Sequence, residues 1–458
     1  MLGGARVGNR FAMPYIWRKR GYSLDVARLH ISSPKRPRTA YRGWQGFFPY
    51  YAGYPADFAE RVIATAGLQE SSRIYDPWNG SGTTTFAAGE AGHIGVGYDL
   101  NPVMVVVARA RSMAPSEADS LLPLAEKILE RAQQSTVICD QDDDLFDWFK
   151  AGTANAVRAL ERSIRDLLVG PFTLTMPQPN LGMLSPIAAT FYVALFSATR
   201  LLTTSLKTTN PTWIKAPRSM GERLDPGAHN LFAAFSSNIA NMTQALVDRR
   251  VLGLSRGPSQ RASQVENRDC SITSPGAASV DLVLTSPPYC TRLDYARLTR
   301  IEMAILVPIT SVKYNDIKGK LLGSVIAPKE CCEPEDNWGK TCLTFLGRVK
   351  GHESKASSTY YYKNHVDYFQ KLSASFSKIA EAMKVGAGGV FVIQDSFYKD
   401  VHNPLQQIAM EMLSLRGIDT IKRYDYDVAH SMAARGQHVS KYRSSSSAVE
   451  SVMCVVKS

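Results

Sequence analysis

The sequence predicts an α/β protein built around a mostly parallel sheet and interrupted by a mainly helical insertion. Three observations carry that expectation. First, SRIYDP, NGSGTTTFAAGEAG and HIGVGYDLNP run as strand, glycine loop, helix, strand and acid, the order of a βαβ unit. Second, helical periodicity dominates residues 115–262, as in SLLPLAEKILERA, ANAVRALERSIRDLL and FSSNIANMTQALVDRR. Third, strand patterns resume at SQVENRD and VDLVLTSPPY and close with GVFVIQDS, IDTIKRYDYDV and AVESVMCVV, the last two expected to be antiparallel.

Taken in order, residues 1–45 form a basic arm. Residues 1–42 carry ten Lys and Arg against Asp25 alone, which reads as a nucleic-acid-binding arm, with a transit peptide or a solvated tail as alternatives. Residues 46–114 hold the first part of the α/β unit, opening with FFPYYAGYPADFAERVIATAG, an aromatic turn leading into an amphipathic helix. Within the insertion, SPIAATFYVALFSAT is apolar yet too short to span a bilayer, so it reads as a buried helix. Residues 263–458 complete the unit, with a loop-rich stretch at 308–358 and VDYFQKLSASFSKIAEAMKVGAGG as a helix with a glycine-rich stop.

Composition narrows the partners. The chain has 458 residues, 45% hydrophobic and 21% charged, as in soluble globular proteins of one large or two to three ordinary domains. A net charge of +12 suggests a polyanionic partner, most simply nucleic acid; with no apolar stretch long enough to span a bilayer, no membrane is expected. The seven cysteines are scattered without a C-x-x-C pair, so no metal site or disulfide framework is expected, and a reducing cytoplasm is.

Two segments carry chemistry. In DPWNGSGTTT, a strand ends at Asp76 and passes through Pro77 into Asn79, Gly80, Ser81 and Gly82 before a helix beginning near Thr83. Glycines without Cβ atoms let backbone amides approach a ligand, and the helix offers its positive end. The third glycine of a dinucleotide fingerprint and the Lys of a phosphate loop are both missing, so the loop suits a ligand with a carboxylate and a ribose. Asp99, ending the next strand, is placed to accept from ribose hydroxyls.

In TSPPYC, Thr285, counted among the cofactor-binding residues, ends a strand and two prolines bar its continuation. The Ser286 hydroxyl and the rigid Pro287 carbonyl, fixed by Pro288, could accept both hydrogens of an aromatic amino group and localise its lone pair. Tyr289 supplies a face for stacking a base, worth about 1–3 kcal/mol.

DPWNGSGTT together with TSPPY resembles the amino-group DNA methyltransferases that use S-adenosylmethionine. The resemblance implies a Rossmann-like, seven-stranded methyltransferase fold. It assigns Asp76, Gly80, Gly82 and Thr83 to the cofactor loop, Asp99 to the ribose, Asp269 to the adenine side, and Ser286–Tyr289 to the catalytic turn. It matches FPYYAGYPADFAERVI to a segment closing over the methionine end, with Pro55 and Phe58 as the best correspondences. Double-stranded DNA with a flipped base is the implied partner, alongside cognate restriction or defence-system proteins.

Trp78 stands where the family usually has Phe, and the cofactor loop here precedes the catalytic turn. In the family it resembles, Ser before the prolines is commoner in cytosine-N4 than in adenine-N6 enzymes, so the resemblance implies cytosine N4 before adenine N6. Cytosine C5 chemistry would need a cysteine at position 289; Cys290 lies one residue too far. RNA guanine N2, a protein glutamine amide and a non-catalytic cofactor-binding subunit are the competing readings. KTTNPTWIKAPRSMGER, VDRRVLGLSRGPSQR, GRVKGHESK and SMAARGQHVSKYR are candidate DNA contacts. Tyr360–Tyr362 read as base-reading tips or a packed helix entrance, and Asp294 and Tyr295 as a pocket frame or a helix start.

Overall fold

The computed structural model describes residues 28–35, 43–48, 53–169, 181–208, 213–253, 263–290, 294–428 and 448–458. The basic run before residue 28, the segment 254–262 and the stretch SMAARGQHVSKYR lie outside them. Seven strands form one sheet: β1 (Arg73–Asp76), β2 (Ile94–Asp99), β3 (Gln264–Asn267), β4 (Val280–Thr285), β5 (Met383–Gln394), β8 (Ile418–Val428) and β9 (Ala448–Lys457). Their order is β3-β2-β1-β4-β5-β9-β8. The first five are parallel, and β9 runs antiparallel to both β5 and β8. A small hairpin, β6 (Ser396–Tyr398) with β7 (Val401–Asn403), follows β5.

Both faces of the sheet are covered, and the strands show it residue by residue. Leu282 and Leu284 of β4 pack in one apolar cluster with Val390 and Val392 of β5 and Val452 and Cys454 of β9. The intervening Val283, Phe391 and Met453 pack in another. This period of two, apolar on both sides, is the mark of a sheet between helical layers. The first layer contains α1 (Ala56–Thr65) and α2 (Thr83–Glu90). The second contains α9 (Lys340–Lys350), α10 (Tyr362–Ala382) and α11 (Leu405–Ser414).

Helix α3 (Pro102–Arg111) has no solvent face to speak of, because the insertion packs on its outer side. The insertion's helices, α4 (Leu121–Gln133), α5 (Ala151–Leu168), α6 (Pro186–Leu202) and α7 (Gly227–Val251), share one continuous core with α3 and with α8 (Arg300–Thr310). The apolar stretch SPIAATFYVALFSAT is indeed a buried helix, started by Ser185, whose hydroxyl accepts from the Ala188 amide. No described helix is long and apolar enough to cross a membrane.

The insertion grips α8 through buried cations. Pro308 lies inside α8 and has no N–H to give the carbonyl four residues back. That carbonyl, Ala304 O, accepts instead from Arg158 Nη2 at 2.7 Å, while Asp143 holds the same guanidinium. Arg200 of α6 pairs with Glu302, which is fully buried.

Two segments differ from expectation. KVGAGG is not a helix stop but the first half of β5, with Gly386 at φ 80° and a register shift against β4. Glycine permits the positive φ that such an irregularity needs. The stretch expected to be loop-rich contains α9, whose Cys342, Phe345, Leu346 and Val349 are buried at helical spacing.

Candidate functional site

Strand order reverses between β1 and β4, so the loops leaving their C-terminal ends part and leave a crevice there. A cleft of about 1070 Å³, its open mouth included, occupies that place. Asp76, Pro77, Asn79, Gly80, Ser81, Thr83, Asp99 and Asp269 line one part of it, and Ser286, Pro287, Pro288 and Tyr289 line another. Two segments about 200 residues apart in the chain therefore meet at one crevice.

The glycine loop turns on two left-handed residues, Gly80 at φ 49° and Gly82 at φ 81°. A Cβ on Gly82 would lie 2.7 Å from Ala108 Cβ, so close packing of α2 on α3 also demands glycine. Gly82→Ala should cost about 1–3 kcal/mol in stability through strain and overlap, read as a lower urea midpoint. Gly82 itself is absent from the cleft wall; it shapes the loop rather than touching a ligand.

Asp99 is fixed by two amides: Gly80 N donates to Oδ2 at 2.9 Å and Asn101 N to Oδ1 at 2.8 Å. Each carboxylate oxygen keeps a lone pair. Burial, with a smaller contribution from the nearby Asp76 charge, pushes the Asp99 carboxyl up to about 7. Asp269 Oδ1 accepts from the Ser271 amide and hydroxyl at 2.8 and 2.6 Å.

Asp76 joins the two motifs. Its Oδ1 accepts from Thr285 Oγ1 at 2.6 Å and its Oδ2 from Thr84 Oγ1 at 2.6 Å. Burial raises this carboxyl to about 6, against the pull of those hydroxyls. Thr285 is completely buried and lies outside the cleft wall, so its part is to tie the strand before Ser286 to the glycine loop rather than to touch a ligand.

At the turn, the Ser286 hydroxyl and the Pro287 carbonyl make no hydrogen bond with any described residue. Tyr289 is half-buried; its hydroxyl donates to Glu450 Oε1 at 3.3 Å, which anchors the far end of the ring. Burial pushes the Cys290 thiol up to about 12, which leaves it inert as a nucleophile near neutral pH.

Pro55 and Phe58 require correction. Both are buried, and Phe58 lies in the core with Ala59 and Val62, because the amphipathic phase of α1 turns that face to the sheet. Gly53 and Tyr54 reach the cleft in their place. Tyr54 Oη donates to Leu284 O at 3.0 Å and lies 2.6 Å from Thr84 Oγ1, bracing the wall between the two motifs. Asp294 starts a helical turn, accepting from Arg297 N at 3.0 Å, whereas Tyr295 lines the cleft. Tyr360 and Tyr361 belong to a π-helical turn that opens α10, and Tyr360 donates to Val325 O.

Sequence reasoning missed two parts of the site. Residues 319–325 form a strap, of which Lys320, Leu321 and Leu322 line the cleft. Tyr360, Asn364, Tyr368 and Lys371 form one polar stripe that hydrogen-bonds to the strap and the turn. Their spacing of four, four and three was visible in STYYYKNHVDYFQKL as a polar face on a helix whose other face is apolar. Among the described residues no group of His, Cys, Asp or Glu side chains is arranged to hold a metal ion.

No protein-family model, curated protein or solved structure matches this chain.

Proposed function

We propose that the chain transfers a methyl group from S-adenosylmethionine to the exocyclic amino group of a base flipped out of double-stranded DNA, cytosine N4 before adenine N6. One observation carries this reading. Ser286 and Pro287, whose hydroxyl and carbonyl are left unpaired among the described residues, share a cleft with the glycine loop and Asp99. The mostly parallel seven-stranded sheet is compatible with the Rossmann-like fold that the resemblance implies.

The residues present fit the cofactor. Asp99 has lone pairs for ribose hydroxyls, and the Ser81 and Thr83 amides, uncommitted among the described residues, suit a carboxylate at the start of α2. When bound, the cofactor supplies an electrophilic methyl on its sulfonium. The chain's own work is positional. Ser286 Oγ and Pro287 O accept the two amino hydrogens, drawing the nitrogen lone pair out of the ring's conjugation, and Tyr289 stacks the base. The nitrogen would gain the methyl as the carbon–sulfur bond breaks to leave a neutral thioether, and would then lose one proton to water at the open mouth of the cleft; no side chain forms a covalent bond to substrate. Ser286 favours cytosine; the order of loop before turn keeps adenine N6 as the second reading.

β8 ends and β9 begins at the edge of the sheet where the cleft opens, and Glu450 of β9 reaches Tyr289. The residues between them lie outside those described; their Arg435, Lys441 and Arg443 are the phosphate contacts of this proposal. Phosphate contacts of this kind make affinity salt-sensitive. Raising salt from about 50 to about 200 mM should weaken DNA binding roughly 10²-fold or more. A flat response in a fluorescence titration would argue against a phosphate-dominated interface.

The decisive test is mass spectrometry of nucleosides from DNA after expression in a methylation-free host. 4-Methylcytosine is the expected product, and 6-methyladenine selects the second reading. Neither product, with no label passing from cofactor to DNA by purified protein, overturns the proposal.

A further inference from the structure

The catalytic turn assigned above is held from both sides, and the holding leaves a particular pair of atoms free. Tyr368 of α10 is 2% exposed, its ring edge-on to Phe369 at 5.3 Å in the core of the second layer. Its hydroxyl donates to Pro288 O at 2.8 Å. From the other side, Tyr295 Oη accepts from Tyr289 N at 3.0 Å. A Cβ built on Gly323 of the strap, at φ 80°, would lie 3.1 Å from Tyr289 O, so the strap's backbone backs the same corner.

The consequence is selective. Neither proline has an N–H. With Pro288 O and Tyr289 N both occupied, Pro287 O and Ser286 Oγ remain uncommitted among the described residues. If the Pro288 carbonyl were loose, the peptide unit could tilt and offer a second carbonyl to the amino group, blurring the direction of the nitrogen lone pair. The side chain that holds Pro288 belongs to the stripe that also fixes the strap: Asn364 Nδ2 donates to Ser324 O at 2.8 Å and Lys371 Nζ to Gly319 O at 2.9 Å. One helix face thus holds both the catalytic turn and the strap beside it.

We propose that Tyr368 is a positioning residue for methyl transfer, which acts by locking the Pro288 carbonyl so that Ser286 Oγ and Pro287 O alone receive the target amino group; Tyr295 is its counterpart on the other side. The inference rests on the methyltransferase reading. It goes beyond it by assigning function to a residue 80 positions away from the turn. Tyr368 touches neither substrate nor cofactor and acts through the backbone it holds.

The test compares parent, Tyr368→Phe and Tyr295→Phe as full-length proteins, with four readouts: single-turnover transfer rate, KM for duplex DNA, cofactor affinity by calorimetry, and thermal midpoint. Phenylalanine keeps the packed ring and removes only the hydroxyl. The expected result is a transfer rate lowered about 10- to 100-fold in each variant, with KM and cofactor affinity within about twofold of the parent. A purely structural role would lower the midpoint and leave the rate of the folded protein unchanged, and that outcome overturns the proposal. If Tyr368→Phe does not fold, Tyr295→Phe carries the test, since the lock needs both sides. A parent that binds cofactor but methylates no DNA defeats the methyltransferase reading itself, and the positioning role with it. An active parent with unaffected variants defeats the positioning role alone.

Discussion

Ser286→Ala should slow methyl transfer by about 10²–10³-fold, the size of effect seen when one preorganised polar partner of a reacting group is lost. The hydroxyl makes no hydrogen bond with any described residue, and alanine removes the acceptor that works beside the Pro287 carbonyl. Cofactor affinity should stay within about twofold of the parent, because Asp99 and the glycine loop are untouched. Single-turnover transfer of a labelled methyl to duplex DNA measures the first quantity and calorimetry the second. A variant as fast as the parent would remove Ser286 from the chemistry and, with it, the reason to favour an amino-group acceptor.

Asp99→Ala should weaken cofactor binding about 10²-fold, since charge-assisted hydrogen bonds to ribose hydroxyls are about twice as strong as neutral ones. The pH dependence gives the same assignment a second reading. Burial raises the folded carboxyl to about 7, so the apo protein holds a proton there that the unfolded chain, ionising near 4, has released. Apo stability from this group is therefore fully present below about 4 and is lost as pH rises through about 7. Cofactor binding runs the opposite way. Hydroxyl donors need the carboxylate, so affinity should rise about tenfold between about pH 6 and about pH 8. Asp76 titrates below Asp99, at about 6, but its oxygens are already committed to Thr285 and Thr84. Asp99→Asn should flatten the binding profile, and a profile unchanged by that substitution would clear Asp99 of ribose contact.

Much of the site was legible in the chain because its signals are local. Gly80 and Gly82 mark a left-handed turn, Asp99 ends a short buried strand, and Pro287 and Pro288 force the exit from β4. Each follows from the backbone of a few neighbouring residues. Pro55 and Phe58 went astray because family spacing was carried across without the helix phase: Phe58 packs with Val62 on the buried side of α1, which puts Tyr54 at the cleft. Helix α9 carried its apolar periodicity openly, but the glycines and acids around it masked the pattern.

By itself the sequence determined the parallel α/β plan, the helical insertion, the glycine loop and the stiff turn, since propensity, periodicity and proline act over a few residues. Only the tertiary structure decided that Asp76 ties the turn's strand to the loop, that the insertion shares its core with α3 and α8, and that Tyr368 and Tyr295 close on the backbone around Ser286 and Pro287. Such contacts depend on how strands are ordered and how helices rotate against them. Those are outcomes of packing many distant apolar side chains at once, and no short stretch of chain encodes them alone.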